Sequence, residues 1–312
     1  MSAPSPGMKA LLDRLSVEDA GLPDPTTLPA FQGRALAALS NLRWNENLPE
    51  MAEARTVSIA DMAARWVVPP KGSGDRVILY VHGGGWAFCS AATHEGAARR
   101  LALACEAPVL SLEYRLAPEH PFPAGLQDVL EAWSARSRDR RWTLAGDSAG
   151  ANLALAAMLQ MQQEDLPECA LLFYGVYGAD FSTPSYRKYA DGPGLSRAKM
   201  MRYWDWYASH EQRGDPQVAP LGASDAQLSR LPPLYLNAAE IDPLHSDTEA
   251  LAERLAALGR SDRFDHVEGV VHGFMQMGAF LPEAREAFRK AGAFFKDVPH
   301  EFRSTHNREE IS

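Results

Sequence analysis

The chain has 312 residues, 46% of them hydrophobic and 23% charged, the proportions of a folded domain with ample material for a core. A formal net charge of −9 with no basic stripe gives nucleic-acid binding no electrostatic support. No stretch approaches the ~18 consecutive apolar residues of a membrane span, and the opening MSAPSPGMKALLDRL meets charges too soon for a secretory leader. A cytoplasmic location is therefore expected. The three cysteines, Cys89, Cys105 and Cys169, are too few and too scattered for a disulfide framework or a zinc site.

In chain order, residues 1–55 read as helical, with Leu11, Leu12 and Leu15 and then Leu36, Leu39 and Leu42 at helical spacing. From about Val57 the pattern changes to short β-rich runs, RWVVPP and RVILYV, separated by the turn KGSGD. Strands and helices then alternate: APVLSLEY, the amphipathic LQDVLEAWSAR, RWTLAG, the small-residue helix ANLALAAMLQMQQE, CALLFYGV, PPLYLNAA, TEALAERLAALG and RFDHVEG. This alternation predicts a mostly parallel sheet with helices on both faces, spanning residues 56–298. An aromatic-rich stretch at about 180–220 interrupts the rhythm and is expected as a lid over the carboxyl edge of the sheet. Residues 299–312 read as a polar tail.

Two motifs carry chemistry. Gly146-Asp147-Ser148-Ala149-Gly150 joins a predicted strand to a predicted helix. A serine hydroxyl is a weak nucleophile until it is exposed beside a base, and G-x-S-x-G exposes it on a tight turn. The following helix aims its positive end at the place where negative charge develops. His82-Gly83-Gly84-Gly85-Trp86 follows RVILYV, and consecutive glycines let backbone N–H groups face an oxyanion without obstruction.

The base must be a histidine after a late strand. Of nine histidines, His272 in GVVHGF fits the order serine, acid, histidine. His266 falls within a strand, His300 and His306 in the tail, and His94, His120 and His210 away from strand ends. The orienting acid should follow PPLYLNAA, which selects Asp242. Asp247 is its competitor and reads instead as part of the next helix's first turn. Glu240 is either a supporting acceptor or a solvated side chain. Trp86 and Phe88, beside the glycine loop, are expected to line a shallow apolar substrate pocket.

Taken together, HGGGW at 82–86, YRLAPEHPFPA at 114–124, GDSAGAN at 146–152, and DPL with VHGF at 242–244 and 271–274 resemble the hormone-sensitive-lipase-like carboxylesterases. The resemblance implies an α/β-hydrolase fold with a helical cap built from the N-terminal segment and the insertion. It makes Ser148 the nucleophile, Asp242 the acid and His272 the base, with amides of Gly83, Gly84 and Ala149 as the oxyanion hole. YRLAPEHPFPA would brace the site. A homodimer is implied by analogy alone.

The expected reaction is hydrolysis of short-chain carboxylic esters through an acyl-enzyme, with a small-molecule ester as partner and neither cofactor nor metal required. An amidase or deacetylase using the same triad is the alternative reading. A non-catalytic ligand receptor on the same scaffold is disfavoured because His272 is present.

Overall fold

The computed structural model describes residues 2–72 and 74–299. Beyond residue 299 the expected polar tail, with His300 and His306, lies outside the described residues. Helix α1 (Pro6–Glu18) begins where the Ser5 hydroxyl accepts from the Met8 amide and Pro6 opens the first turn. A proline costs nothing there, because that N–H has no intrahelical partner. Helix α2 (Ala30–Asn41) buries Gly33 and Ala37, while Leu39 on the expected leucine stripe is 69% exposed. The small face wins because the helix lies very close to its neighbours: a Cβ on Gly33 would fall 2.2 Å from the Pro25 carbonyl oxygen.

Strands β1 (Glu53–Ile59) and β2 (Met62–Val68) form an antiparallel pair. Six parallel strands follow: β3 (Arg76–Val81), β4 (Val109–Leu112), β5 (Arg141–Asp147), β6 (Ala170–Phe173), β7 (Leu234–Ile241) and β8 (Arg263–Val271). The order across the sheet is β1-β2-β4-β3-β5-β6-β7-β8, with β2 antiparallel to β4.

The strands read as continuous apolar runs because both faces of the sheet are covered. Helices α3 (Glu95–Cys105), α4 (Ala124–Ser134) and α5 (Ala149–Gln160) follow β3, β4 and β5. The insertion folds as α6 (Pro184–Lys188), α7 (Arg197–Tyr207) and, just beyond it, α8 (Asp225–Ser229). Helices α9 (His245–Ala257) and α10 (Pro282–Asp297) complete the chain. Val77, Leu79 and Val81 of β3 join one core with α4, α5 and α9, while Ile78 and Tyr80 join the other with α1, α3 and α10. A third, small cluster of Ala37, Ala87, Phe88 and Ala117 fastens α2 to the loop after β3.

The chain leaves β3 toward β4 on one side and returns to β5 on the other. The order reverses there, and loops beyond the carboxyl ends of the strands gather at such a reversal. HGGG follows β3, GDSAG closes β5, Asp242 follows β7 and His272 follows β8. The cysteines are free thiols, with Cys105 and Cys169 buried.

Candidate active site

Ser148 stands between β5 and α5 with φ 53° and ψ −119°, a left-handed backbone that a β-carbon resists. The flanking glycines make this turn possible. A Cβ on Gly150 would fall 2.0 Å from the Val81 carbonyl oxygen, and one on Gly146 2.5 Å from the Gly150 backbone. The Ser148 amide is held by the Phe173 carbonyl of β6 at 2.9 Å, which fixes the strained residue to the sheet.

The structure brings the three residues singled out in the sequence into one chain of contacts. His272 Nε2 is 2.9 Å from Ser148 Oγ, and His272 Nδ1 is 2.6 Å from Asp242 Oδ2. A carboxylate can only accept, so Nδ1 carries the proton and Nε2 is left to accept from the serine hydroxyl. Asp242 is fully buried, and its other oxygen accepts from the Leu244 amide at 2.9 Å. The Tyr174 ring packs edge-on against His272, with centroids 5.0 Å apart.

Asp147 is the residue the sequence left without a role. Its Oδ1 accepts from the Tyr80 hydroxyl at 2.6 Å and from the Gly83 amide at 2.9 Å. Oδ2 lies 3.5 Å from the Tyr174 hydroxyl and 3.5 Å from His94 Nε2. The latter is too distant for a good hydrogen bond. Burial pushes this carboxyl up, but His94, Tyr80 and the Gly83 amide together outweigh it and hold it below its ordinary value. His94, set aside in the sequence as remote from strand ends, is thus part of this buried network. His82 is kept neutral: burial, and then His94, push its pKa down to about 3.

The hydrogen bond from Gly83 corrects one expectation. Its amide is already committed to Asp147, so it is not free to face an oxyanion. Among the described residues no acceptor takes the amides of Gly84, Gly85 or Ala149. Gly85 has φ +60°, and a Cβ there would fall 2.3 Å from the Tyr203 ring of α7. A helix of the insertion therefore packs directly on the glycine loop.

Trp86 and Phe88, expected to line a shallow apolar substrate pocket, are 1% and 2% exposed. Trp86 stacks on Tyr207 at 4.2 Å and its indole N–H donates to Asn152 Oδ1 at 3.3 Å. Phe88 packs against Tyr203 and Trp206. Both rings are covered by α7 and serve as its seat. Asn152 in turn donates to the Val176 and Val218 carbonyls, each at 2.9 Å, tying α5 to both ends of the insertion.

The stretch YRLAPEHPFPA braces the loop, as its resemblance implied. Tyr114 stacks on His82 at 4.4 Å and its hydroxyl donates to the His82 carbonyl at 2.9 Å. Arg115 grips Asp128 of α4 through Nε and Nη2. From α2, Arg34 reaches the Ala87 and Ala117 carbonyls at 2.8 and 3.0 Å.

Asp247 lies in the first turn of α9 but does not cap it. Its Oδ2 accepts from the Tyr177 and Gly178 amides at 2.9 and 2.8 Å, holding the loop after β6. Burial pushes this carboxyl up to about 7, against those two amide bonds. Glu240 accepts from the Gly269 amide at 2.8 Å and so bridges β7 and β8. His266 pairs with His245 at 3.1 Å, away from the serine. A surface groove of about 820 Å³ between α3 and α10 contains none of the triad residues. No helix among the described residues is long and apolar enough to cross a membrane.

Residues 78–276 match a family model described as the α/β hydrolase fold. Carboxylesterase NlhH of Mycobacterium tuberculosis is 35% identical over 95% of this chain and 96% of its own length. Ethyl acetate hydrolase of Pseudomonas putida is 35% identical over 67% of this chain and 69% of its own. A solved thermostable esterase from Pseudomonas putida superposes with a TM-score of 0.86 at 26% identity, covering 95% of this chain and 98% of that one. The chain belongs to the α/β-hydrolase family, in its hormone-sensitive-lipase-like carboxylesterase branch. It is a carboxylic ester hydrolase.

Proposed function

We propose that the protein cleaves short-chain carboxylic esters in two steps through an acyl-enzyme on Ser148. The observation that carries this reading is the unbroken chain Ser148–His272–Asp242, with links of 2.9 and 2.6 Å. His272 removes the serine proton as Oγ attacks the ester carbonyl, and the tetrahedral oxygen is held by amides. Because Gly83 is spent on Asp147, those donors are Gly84, Gly85 and Ala149, the last at the positive end of α5. His272 then protonates the leaving alcohol. Water, activated by the same imidazole, releases the acid. Asp242 keeps the tautomer and steadies the cation without taking the proton.

The insertion at 180–220, with α1 and α2, forms the cap over this site. Two contacts support that assignment: the Tyr203 ring over Gly85 and the Lys199–Asp24 ion pair at 3.3 Å, which links α7 to the segment before α2. A cap whose aromatic rings are packed onto the glycine loop leaves space for small acyl groups. The likeness to an ethyl acetate hydrolase supports the same choice.

The test is a series of p-nitrophenyl esters from acetate to palmitate, on wild type and Ser148→Ala together. Acetate and butyrate should turn over fastest and palmitate slowest, and the variant should lose at least ~10³ in kcat. A loss under tenfold would remove Ser148 from the mechanism. Preference for palmitate would remove the short-chain assignment.

A further inference from the structure

Two segments distant in sequence meet around the turn that carries Asp242. Ser185, in the first turn of α6, is 6% exposed and makes three hydrogen bonds to that turn. Its hydroxyl donates to the Pro243 carbonyl at 2.6 Å and accepts from the Ser246 amide at 3.1 Å. Its own amide donates to the Ser246 hydroxyl at 3.2 Å. A few residues earlier, the Tyr177 and Gly178 amides are held by Asp247. Segment 177–185 is thereby stapled to turn 242–247 by five hydrogen bonds.

We infer that Ser185 is a positioning residue for the ester-cleaving reaction, locking the turn that aims Asp242 at His272. The inference rests on the triad reading given above. Asp242 has little else to orient it. One oxygen accepts from Leu244 and the other faces His272, both set by the backbone of residues 242–246. Within the turn the His245 amide bonds the Asp242 carbonyl and the Asp247 amide the Leu244 carbonyl, each at 3.1 Å, while the Pro243 carbonyl and the Ser246 amide are both held from outside by the Ser185 hydroxyl. Pro243 has no N–H to contribute, so the turn takes its outer support from α6.

The position of the insertion is therefore coupled to the geometry of the acid. A shift of α6 pulls on the Pro243 carbonyl and rotates the carboxylate away from Nδ1. Loss of that alignment weakens stabilisation of the imidazolium, which lowers kcat and moves the acidic limb of the pH profile to lower pH. Binding of the ester in its ground state is left largely unaffected. The ionisable groups around Asp242 and His272 are Asp247 and His245 on α9, Tyr186 on α6 and Tyr174 after β6. Ser185 itself carries no ionisable group, so its replacement removes no charge from this set.

The experiment compares Ser185→Ala, Ser185→Thr, Ser246→Ala and Ser148→Ala with wild type on p-nitrophenyl acetate, far below each variant's melting temperature. Ser185→Ala should lose about tenfold or more in kcat with KM changed less than about twofold. Its acidic limb should move down by at least about half a pH unit. Ser185→Thr, which keeps the hydroxyl, should recover most of the rate. Ser246→Ala keeps the bond to Pro243 and should lose less than Ser185→Ala. Wild-type kcat and an unmoved limb in a folded Ser185→Ala would overturn the inference, as would a defect confined to melting temperature. Should Ser185→Ala fail to fold, Ser185→Cys, whose thiol is a poor donor to the Pro243 carbonyl, takes its place: a reduced kcat with a lowered acidic limb supports the inference, and a wild-type kcat and limb overturn it. If Ser148→Ala stays active, the triad itself fails. If it is inactive while Ser185→Ala is normal, only the role of Ser185 fails.

Discussion

Replacing Asp147 tests whether one buried carboxylate organises the site. In Asp147→Ala, the Tyr80 hydroxyl and the Gly83 amide both lose their acceptor in the interior. An orphaned buried donor costs about 1–3 kcal/mol, so the pair costs about 2–6 kcal/mol. Against a total stability of about 5–15 kcal/mol this is large, and a urea titration followed by tryptophan fluorescence should resolve it. Asp147→Asn keeps an acceptor oxygen but loses the charge, and should cost less, about 1–2 kcal/mol. Folding lowers the pKa of this carboxyl, so its stabilisation is present above the unfolded carboxylate range near about pH 4. It is lost as pH falls through the folded value. The gap between wild type and Asp147→Asn should therefore be widest at neutral pH and close in acid. Turnover should fall as well, because Gly83 anchors the loop that presents Gly84 and Gly85. A stability change of Asp147→Ala below about 0.5 kcal/mol, well short of the orphaned-donor cost, with kcat unchanged, would refute this reasoning.

Asp247 should have the opposite pH signature. Its carboxyl is pushed up to about 7 by burial, so the stability linked to its protonated form is complete below about pH 4 and lost as pH rises toward that value. Asp247→Asn should gain on wild type between about pH 4 and 7 in urea titrations; an advantage that shrinks over that interval contradicts the assignment. Gly150→Ala drives a methyl group to 2.0 Å from the Val81 carbonyl, so α5 must move from the sheet. A loss of about 3 kcal/mol is expected, with little activity remaining, and a fully active, equally stable variant would contradict the packing argument.

The meeting of Ser148, Asp242 and His272 was legible because each occupies a strand end, where local pattern and chain order suffice. Strand candidates such as RVILYV and RWTLAG were marked by unbroken apolar runs, and both faces of the sheet are covered. The supporting network was not legible in the same way. Asp147 sits inside the most conspicuous motif, yet nothing local says that its carboxylate reaches back to Gly83 and Tyr80 on the neighbouring strand and loop. Assigning Gly83 to the oxyanion hole failed for that reason: which amides are free depends on a contact between residues 64 positions apart. Likewise, the leucines of α2 promised a buried stripe, but Gly33 allows an approach so close that the small face is buried. Trp86 and Phe88 follow the glycine loop in sequence, and only the fold shows that α7 covers them. Ser185 has no sequence signal at all, since its partners arise from the docking of α6 on a turn some 58 residues away.

The central claim is a covalent acyl group on Ser148, and trapping it is the most direct measurement. Wild-type protein mixed rapidly with excess p-nitrophenyl acetate, quenched in acid within the first turnover and digested, is mapped by peptide mass spectrometry. The account predicts an acetyl group on the peptide containing Ser148, accompanied by a burst of p-nitrophenol, and no such peptide in Ser148→Ala. An acetyl group on a different residue, or turnover that proceeds with Ser148 never modified at any quench time, would contradict it.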